Sequence, residues 1–410
     1  MIRFTRLLFV VLFISYLAGC TDPVSTEDHP PEVNLSQAEQ HLVEADNRFG
    51  LHLFRQLSQA DAAENVFISP LSVSMALGMT MNGASGETRT AMEETLELAG
   101  LSEEEINASY RSLIDMLTTL DDKVTVGIAN SIWHREGFAV EQGFLDMNHT
   151  FFDAEVQSLN FSRSEAADII NAWVDDKTHS KIQEIVNPPI PPEVVMYLIN
   201  ATYFKGDWRT QFDEDDTQDD VFRKADGTTV PVSMMNMAEM SFPMLQTERF
   251  QAIDLPYGDS LFSMTILLPN EPYNLDDIAQ DLTAENWTAW TSQLAPQKLS
   301  LLQMPKFKLA YKKSLAETLG AMGMDIAFDE ARADFSRINP NAHLFISEVK
   351  HKTFVEVDEE GTEAAAVTSV VVDVTSIRPM LRIDRPFLFA IREQATGTIL
   401  FLGKMIDPSA

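Results

Sequence analysis

One stretch of this chain, Val357 to Asp373, is written both as a loop and as a strand. It begins Val357-Asp358-Glu359-Glu360-Gly361-Thr362-Glu363-Ala364-Ala365-Ala366. From Thr362 onward alternate positions (Thr362, Ala364, Ala366, Thr368, Val370, Val372) are small or β-branched and uncharged. Glu363, Ser369 and Asp373 fall on the other parity, with Ala365, Val367 and Val371. A period of two with its charges on one side is the pattern of a strand with one buried and one wet face. Its first part, three alanines behind a Gly-Thr hinge, has poor β-propensity and reads as a mobile connector. A segment that suits both states is expected to change state.

The remaining chain supplies helices first and strands later. Ser36 with Glu39 three residues on forms a capping box, and Phe49, Leu53, Phe54 and Leu57 mark the apolar face of the helix behind it. Ser69-Pro70 places a cap before a proline at the first helical position, with the helix running toward Gly83. Val194 to Phe204 is nearly all apolar, as expected of a central strand covered on both faces. Leu381 to Met405 reads as strands around Gln394-Ala-Thr-Gly. The order is α+β rather than a regular βαβ alternation. No internal repeat and no low-complexity linker follows Pro31, so one large mixed domain is expected over residues 36–410.

The first residues set an address. Arg3 and Arg6 precede an apolar run from Leu7 to Leu17, then Leu17-Ala18-Gly19-Cys20. The run suits the core of a signal peptide over residues 1–19 and falls short of the roughly 20 residues of a membrane span. Leu-Ala-Gly-Cys resembles the bacterial lipobox, which implies lipidation of Cys20 and an exported, lipid-anchored protein at the cell envelope. Cys20 is the single cysteine, so no intramolecular disulfide forms. Residues 20–35 read as a polar, proline-containing tether. Losing Arg3 and Arg6 from 30 basic residues leaves 28 against 62 acids, a formal charge of −34. Such a surface repels nucleic acid and anionic headgroups and argues against a heparin-like cofactor. Membrane contact is therefore expected through the N-terminal lipid alone.

No constellation for enzyme chemistry stands out. HExxH, GxSxG, the P-loop and the dinucleotide fingerprint are all missing, and Gly83-Ala-Ser-Gly86 reads as a helix terminus rather than a nucleophile elbow. The eight histidines lack metal spacing. The acidic run from Asp213 to Asp220 lacks the spaced ligands and turn glycine of a calcium loop and reads as a solvated turn. No metal or cofactor is implied.

Six segments, in order and at matching spacing, resemble the serpin family. They are Asn65 to Leu77, Leu198 to Phe212, Leu302-Gln-Met-Pro-Lys-Phe-Lys308, Phe345-Ile-Ser-Glu-Val-Lys-His-Lys-Thr353, Asp384-Arg-Pro-Phe-Leu-Phe-Ala-Ile391 and Gly397 to Lys404. With the hinge from Glu359 to Ala366, the resemblance covers roughly Glu39 to Pro408. It implies an α+β domain with about three β-sheets, eight or nine helices and an exposed reactive loop at about 360–380. It also implies a suicide inhibitor, monomeric, whose partner is a serine protease held in a covalent complex. Counting from the hinge glycine, and back from Pro386-Phe387, puts the scissile bond at Thr375-Ser376. The resemblance makes Val372, Asp373, Val374, Ile377 and Arg378 the flanking specificity positions. It further implies a latch in which His351 and Asn200 hydrogen-bond across two central strands above Ser69 and Ser72. Lys306 and Glu359 would pair beside Trp208 where insertion begins.

A small, uncharged Thr375 after Val374 suits an elastase-like or subtilisin-like pocket better than a trypsin or chymotrypsin pocket. Asp373 leaves an Asp-directed serine or cysteine protease open. A non-inhibitory serpin acting as a surface binding lipoprotein is the competing reading.

Overall fold

The computed structural model describes residues 33–362 and 379–409. The leader, Cys20 and most of the tether lie outside the described residues, as do Glu363, Ala364, Ala365, Ala366, Val372, Asp373, Val374, Thr375, Ser376, Ile377 and Arg378. Among the described residues there are nine helices: α1 (Gln37–Ala60), α2 (Pro70–Met81), α3 (Gly86–Thr95), α4 (Glu103–Thr119), α5 (Gln142–Phe152), α6 (Glu165–Lys177), α7 (Leu275–Gln280), α8 (Ala284–Thr291) and α9 (Ala316–Leu319). The strands are β1 (Val66–Ile68), β2 (Val124–Arg135), β3 (Glu155–Leu159), β4 (Met196–Asp207), β5 (Gln218–Arg223), β6 (Thr229–Ala238), β7 (Ser241–Gln246), β8 (Phe250–Tyr257), β9 (Phe262–Pro269), β10 (Ala295–Lys298), β11 (Leu301–Pro305), β12 (Phe307–Ser314), β13 (Lys350–Val357), β14 (Gly361–Thr362), β15 (Met380–Arg382), β16 (Phe387–Glu393) and β17 (Ile399–Met405).

The strands form three main sheets and one small one, in the orders β1-β17-β16-β9-β8-β7-β10, β15-β11-β6-β5, β14-β4-β2-β3 and β12-β13. Local chemistry explains the helix starts. Ser36 and Glu39 form the reciprocal box at α1, and the Ser69 hydroxyl accepts from the Ser72 amide at α2 with Pro70 behind it. Helix α2 is apolar nearly all round and is correspondingly buried, as a helix inside a core must be. The β16–β17 hairpin is buried along its length, and Phe67 stacks on Phe389 and Phe401 at 5.7 and 5.2 Å. Lys404, fully buried in β17, donates to the carbonyls of Ser58 and Asp61 where α1 ends. A cation there meets the negative end of the helix dipole, which is why the charge is tolerated.

β4 is covered on both faces, by α2 on one and α6 on the other, and none of its residues is exposed. What its apolar composition did not show is the arrangement of its edges. Its one long ladder is with β2, running from Val124↔Gly206 to His134↔Met196. On the other edge the described pairs are Gly206 with Thr362 and Asp207 with Gly361. Among the described residues, a cavity separates the rest of that edge from β13.

Candidate functional site

The gap lies between β4 and β13. β13 has a ladder with β12 on one side, and among the described residues none on the other. A cavity of about 410 Å³ separates Met196–Thr202 of β4 from Lys350–Thr353 of β13. A smaller one continues it past Tyr203, Phe204, Val355 and Glu356 to Thr362. Two strand edges that face one cavity, with no ladder between them among the described residues, have the geometry to receive an added strand.

Helix α2 forms the floor through Ser69, Ser72, Val73 and Leu77. Above β2 and β4, α6 rests on its own apolar cluster, which includes Trp133, Ile170, Val174 and Ile199. The chain after α6 reaches across to β13, where Lys352 Nζ donates to the Glu184 carbonyl at 3.0 Å and Lys181 approaches Glu356 at 3.5 Å.

The hinge stands at the head of this slot. After β13 the chain folds back in a tight turn: the Asp358 amide donates to the Gly361 carbonyl, and Asp358 Oδ1 accepts from the amides of Glu360 and Gly361. Gly361 has φ +150°, and a Cβ there would come within 2.3 Å of the Gly206 carbonyl oxygen, so only glycine allows the approach to β4. Gly361 and Thr362 then pair antiparallel with Asp207 and Gly206. The Thr362 hydroxyl, buried, meets Tyr257 Oη at 2.9 Å.

Glu359 and Trp208 hold the turn. Lys306 Nζ lies 2.5 Å from Glu359 Oε2, and Thr217 Oγ1 donates to its other oxygen at 2.7 Å. Burial alone would raise the Glu359 carboxyl, but Lys306 and Thr217 outweigh it and hold it below the usual range. Trp208 donates from its backbone to the Glu360 carbonyl and from Nε1 to the Asp358 carbonyl, with its ring stacked 4.4 Å from Tyr257. The structure thus brings Lys306, Glu359, Trp208, Gly361 and Thr362 together.

The lower latch is arranged differently from expectation. His351 and Asn200 both line the cavity, with Ser69 and Ser72 beneath, yet no hydrogen bond joins them among the described residues. His351 Nε2 accepts from the Ser69 amide at 3.1 Å, and burial pushes the imidazole down to about 4, so it is neutral. Asn200 Nδ2 donates to Asn130 Oδ1 at 2.8 Å, while its Oδ1 accepts from Thr202 Oγ1 at 2.7 Å. With β4 and β13 apart, His351 Nε2 and both ends of the Asn200 amide find partners without reaching across the gap. Asn130, Thr202, Thr217 and Tyr257 were not singled out from sequence. Only Asn130 had a signal, as a polar residue beside Ser131 in the middle of an otherwise apolar strand.

No group of three or more His, Cys, Asp or Glu among the described residues could hold a metal, and no described helix is long and apolar enough to cross a membrane. Residues 44–408 match the family model Serpin (serine protease inhibitor). Iripin-2 of Ixodes ricinus is 35% identical over 90% of this chain and 94% of its own length. Serpin B8 of Homo sapiens is 35% identical over 90% and 99%. Among solved structures, the thermophilic serpin tengpin in its native state superposes with TM-score 0.81 at 33% identity, covering 92% of this chain and 96% of that one. Thyroxine-binding globulin in complex with thyroxine gives TM-score 0.81 at 29% identity, over 90% and 99%.

Proposed function

The chain belongs to the serpin family, and on that premise we propose that it is a suicide-type inhibitor of serine proteases, cleaved at Thr375-Ser376. The observation that carries this reading is the hinge itself: Gly361 and Thr362 are laddered onto β4 at the head of the cavity between β4 and β13. A target serine would attack the Thr375 carbonyl and expel the Ser376 amine, leaving an ester between protease and loop. The freed strand would then continue the β14 ladder down the slot. Fifteen residues from Gly361 to Thr375, at about 3.3 Å each, span roughly 50 Å and would carry the enzyme with them.

The residues suit that motion. Inward positions Thr362, Ala364, Ala366 and Thr368 are small, and Val370 and Val372 would each add about 1.5–3 kcal/mol on full burial. The specificity positions favour an elastase-like or subtilisin-like enzyme. The same reading places the protein outside the cytoplasm, anchored by lipid on Cys20.

The test is incubation with an elastase, a denaturing gel and mass analysis of the released peptide. The expected result is an SDS-stable adduct and a fragment beginning at Ser376. Cleavage without adduct would favour a non-inhibitory binding lipoprotein, a reading supported by the likeness to thyroxine-binding globulin.

A further inference from the structure

We infer that Asp46, Ser74 and Tyr110 form a buried proton-binding site that ties α1 to α2 and α4 while the proton is bound. The site lies away from the hinge and is independent of the inhibitory reading.

Asp46 sits on the inner face of α1 and is 3% exposed, and Ser74 and Tyr110 are fully buried. The Tyr110 ring is held between α2 and α5. A Cβ at Gly78 would come within 3.1 Å of it, and the Phe152 ring lies 5.2 Å away on its other side. So fixed, the Tyr110 hydroxyl stands 3.2 Å from Asp46 Oδ1 and 3.5 Å from the Ser74 carbonyl oxygen. Asp46 Oδ2 is buried with no hydrogen-bond partner among the described residues. The Ser74 hydroxyl acts on the same carboxyl, yet its hydrogen goes to the Leu71 carbonyl at 3.1 Å.

There are too few hydrogens here for an ionised Asp46. A phenol carries one, and two acceptors share it; a serine hydroxyl carries one, and Leu71 takes it. One added proton closes the deficit. A neutral Asp46 donates to the oxygen of Tyr110 or Ser74, each of which keeps a free lone pair, and Tyr110 can then donate to the Ser74 carbonyl. Removing the proton leaves a carboxylate in an apolar surround, which is costly without a cation. None acts on it among the described residues, and Tyr110 is the one titratable group that does.

The charges on the packed elements are spent elsewhere. One turn to either side, α1 itself presents Leu42, Val43, Phe49 and Gly50, and α2 and β1 carry no charge. On α4, Glu103 binds Arg89 and Arg337, and Arg111 binds Asp115. Lys404 of β17 caps the far end of α1. Asp277 and Glu285 bond at the starts of α7 and α8, while Asp276 and Glu317 are exposed. Burial accordingly raises the Asp46 carboxyl from 3.8 to about 7. The tie is present in acid and is lost as pH rises from about 4 to 7.

Asp46→Asn keeps the shape of the neutral acid and supplies hydrogens at every pH. A merely structural role predicts one constant effect of this change. Proton binding predicts an effect that grows with pH. The measurement is the ratio of folded to unfolded intact chain at a fixed urea concentration, at pH 5 and pH 8. The ratio in Asp46→Asn relative to wild type should rise at least ten-fold between the two, as for one pKa unit or more. His351 is common to both chains and cancels. Should Asp46→Asn fail to fold, Tyr110→Phe decides, because it keeps the ring and removes the donor to Oδ1. The infrared band of a protonated carboxyl, expected in the wild type up to near pH 7, should persist to higher pH in Tyr110→Phe. A pH-independent effect of Asp46→Asn, or a band that is missing in the wild type or unmoved by Tyr110→Phe, overturns the site.

Discussion

His351 joins a long-range contact to a titration. Its imidazole lies 3.1 Å from the Ser69 amide at the start of α2, and it accepts that bond only while Nε2 is unprotonated. Burial pushes its pKa down from 6.5 to about 4. Between those values the unfolded ring binds a proton that the folded ring refuses, so the contribution is fully present above about pH 6.5 and is lost as pH falls toward 4. Asp46 runs the other way: burial raises its carboxyl to about 7, against the Ser74 and Tyr110 hydrogen bonds that lower it, and this favours the fold in acid. The comparison that isolates His351 is therefore with a variant, not with wild type alone. His351→Ala should polymerise at a lower onset temperature than wild type at pH 7, and that difference should shrink as pH falls from 6.5 to 4.5, read by light scattering at a fixed heating rate. An unchanged onset in the variant would remove His351 from the latch. Ser36 and Glu39 show the opposite case, a contact legible from sequence because both partners sit within one turn.

At the scale of elements, the hinge turn decides whether a strand can enter. β14 is only two residues long, and it sits where it does because Gly361 lets backbone approach backbone. A valine there would need both an unfavourable φ and room beside Gly206 that does not exist. Gly361→Val is expected to detach β14 from β4, with loop cleavage retained and adduct falling at least ten-fold, as measured by the ratio of adduct to cleaved protein on gels. Normal adduct yield would mean that insertion starts elsewhere. The capped starts of α1 and α2 were readable as helices, since each depends on neighbours in sequence, whereas the alternation beyond Thr362 lies outside the described residues. β4 was readable as a strand but not as one facing a gap. Its apolar composition suits a fully covered strand, and the missing neighbour is a matter of which strands pair.

For the whole molecule, the inhibitory reading proposed above requires a lower free-energy state with the loop inserted, so that the persistence of the intact form is kinetic. A dozen or so new ladder hydrogen bonds, at about 1 kcal/mol each, would be gained on insertion. With about 2–4 °C per kcal/mol for domains of 150–250 residues, and less for a longer chain, loop-cleaved protein should melt roughly 20 °C or more above the intact form. Thr368→Arg, which puts a charge at an inward position, should be cleaved without that gain. Equal melting points for cut and uncut wild type would exclude insertion. The amino-acid sequence by itself determined the α+β order, the helix caps and the hinge glycine, because each follows from residues a few positions apart. Tertiary structure alone decided that β4 and β13 stand apart. It also decided that Asn200, 70 residues from Asn130, gives its amide to that residue rather than to His351. Hydrogen-bond partners across a sheet are chosen by register and strand order, and those are set by the packing of the whole core rather than by any local run of residues.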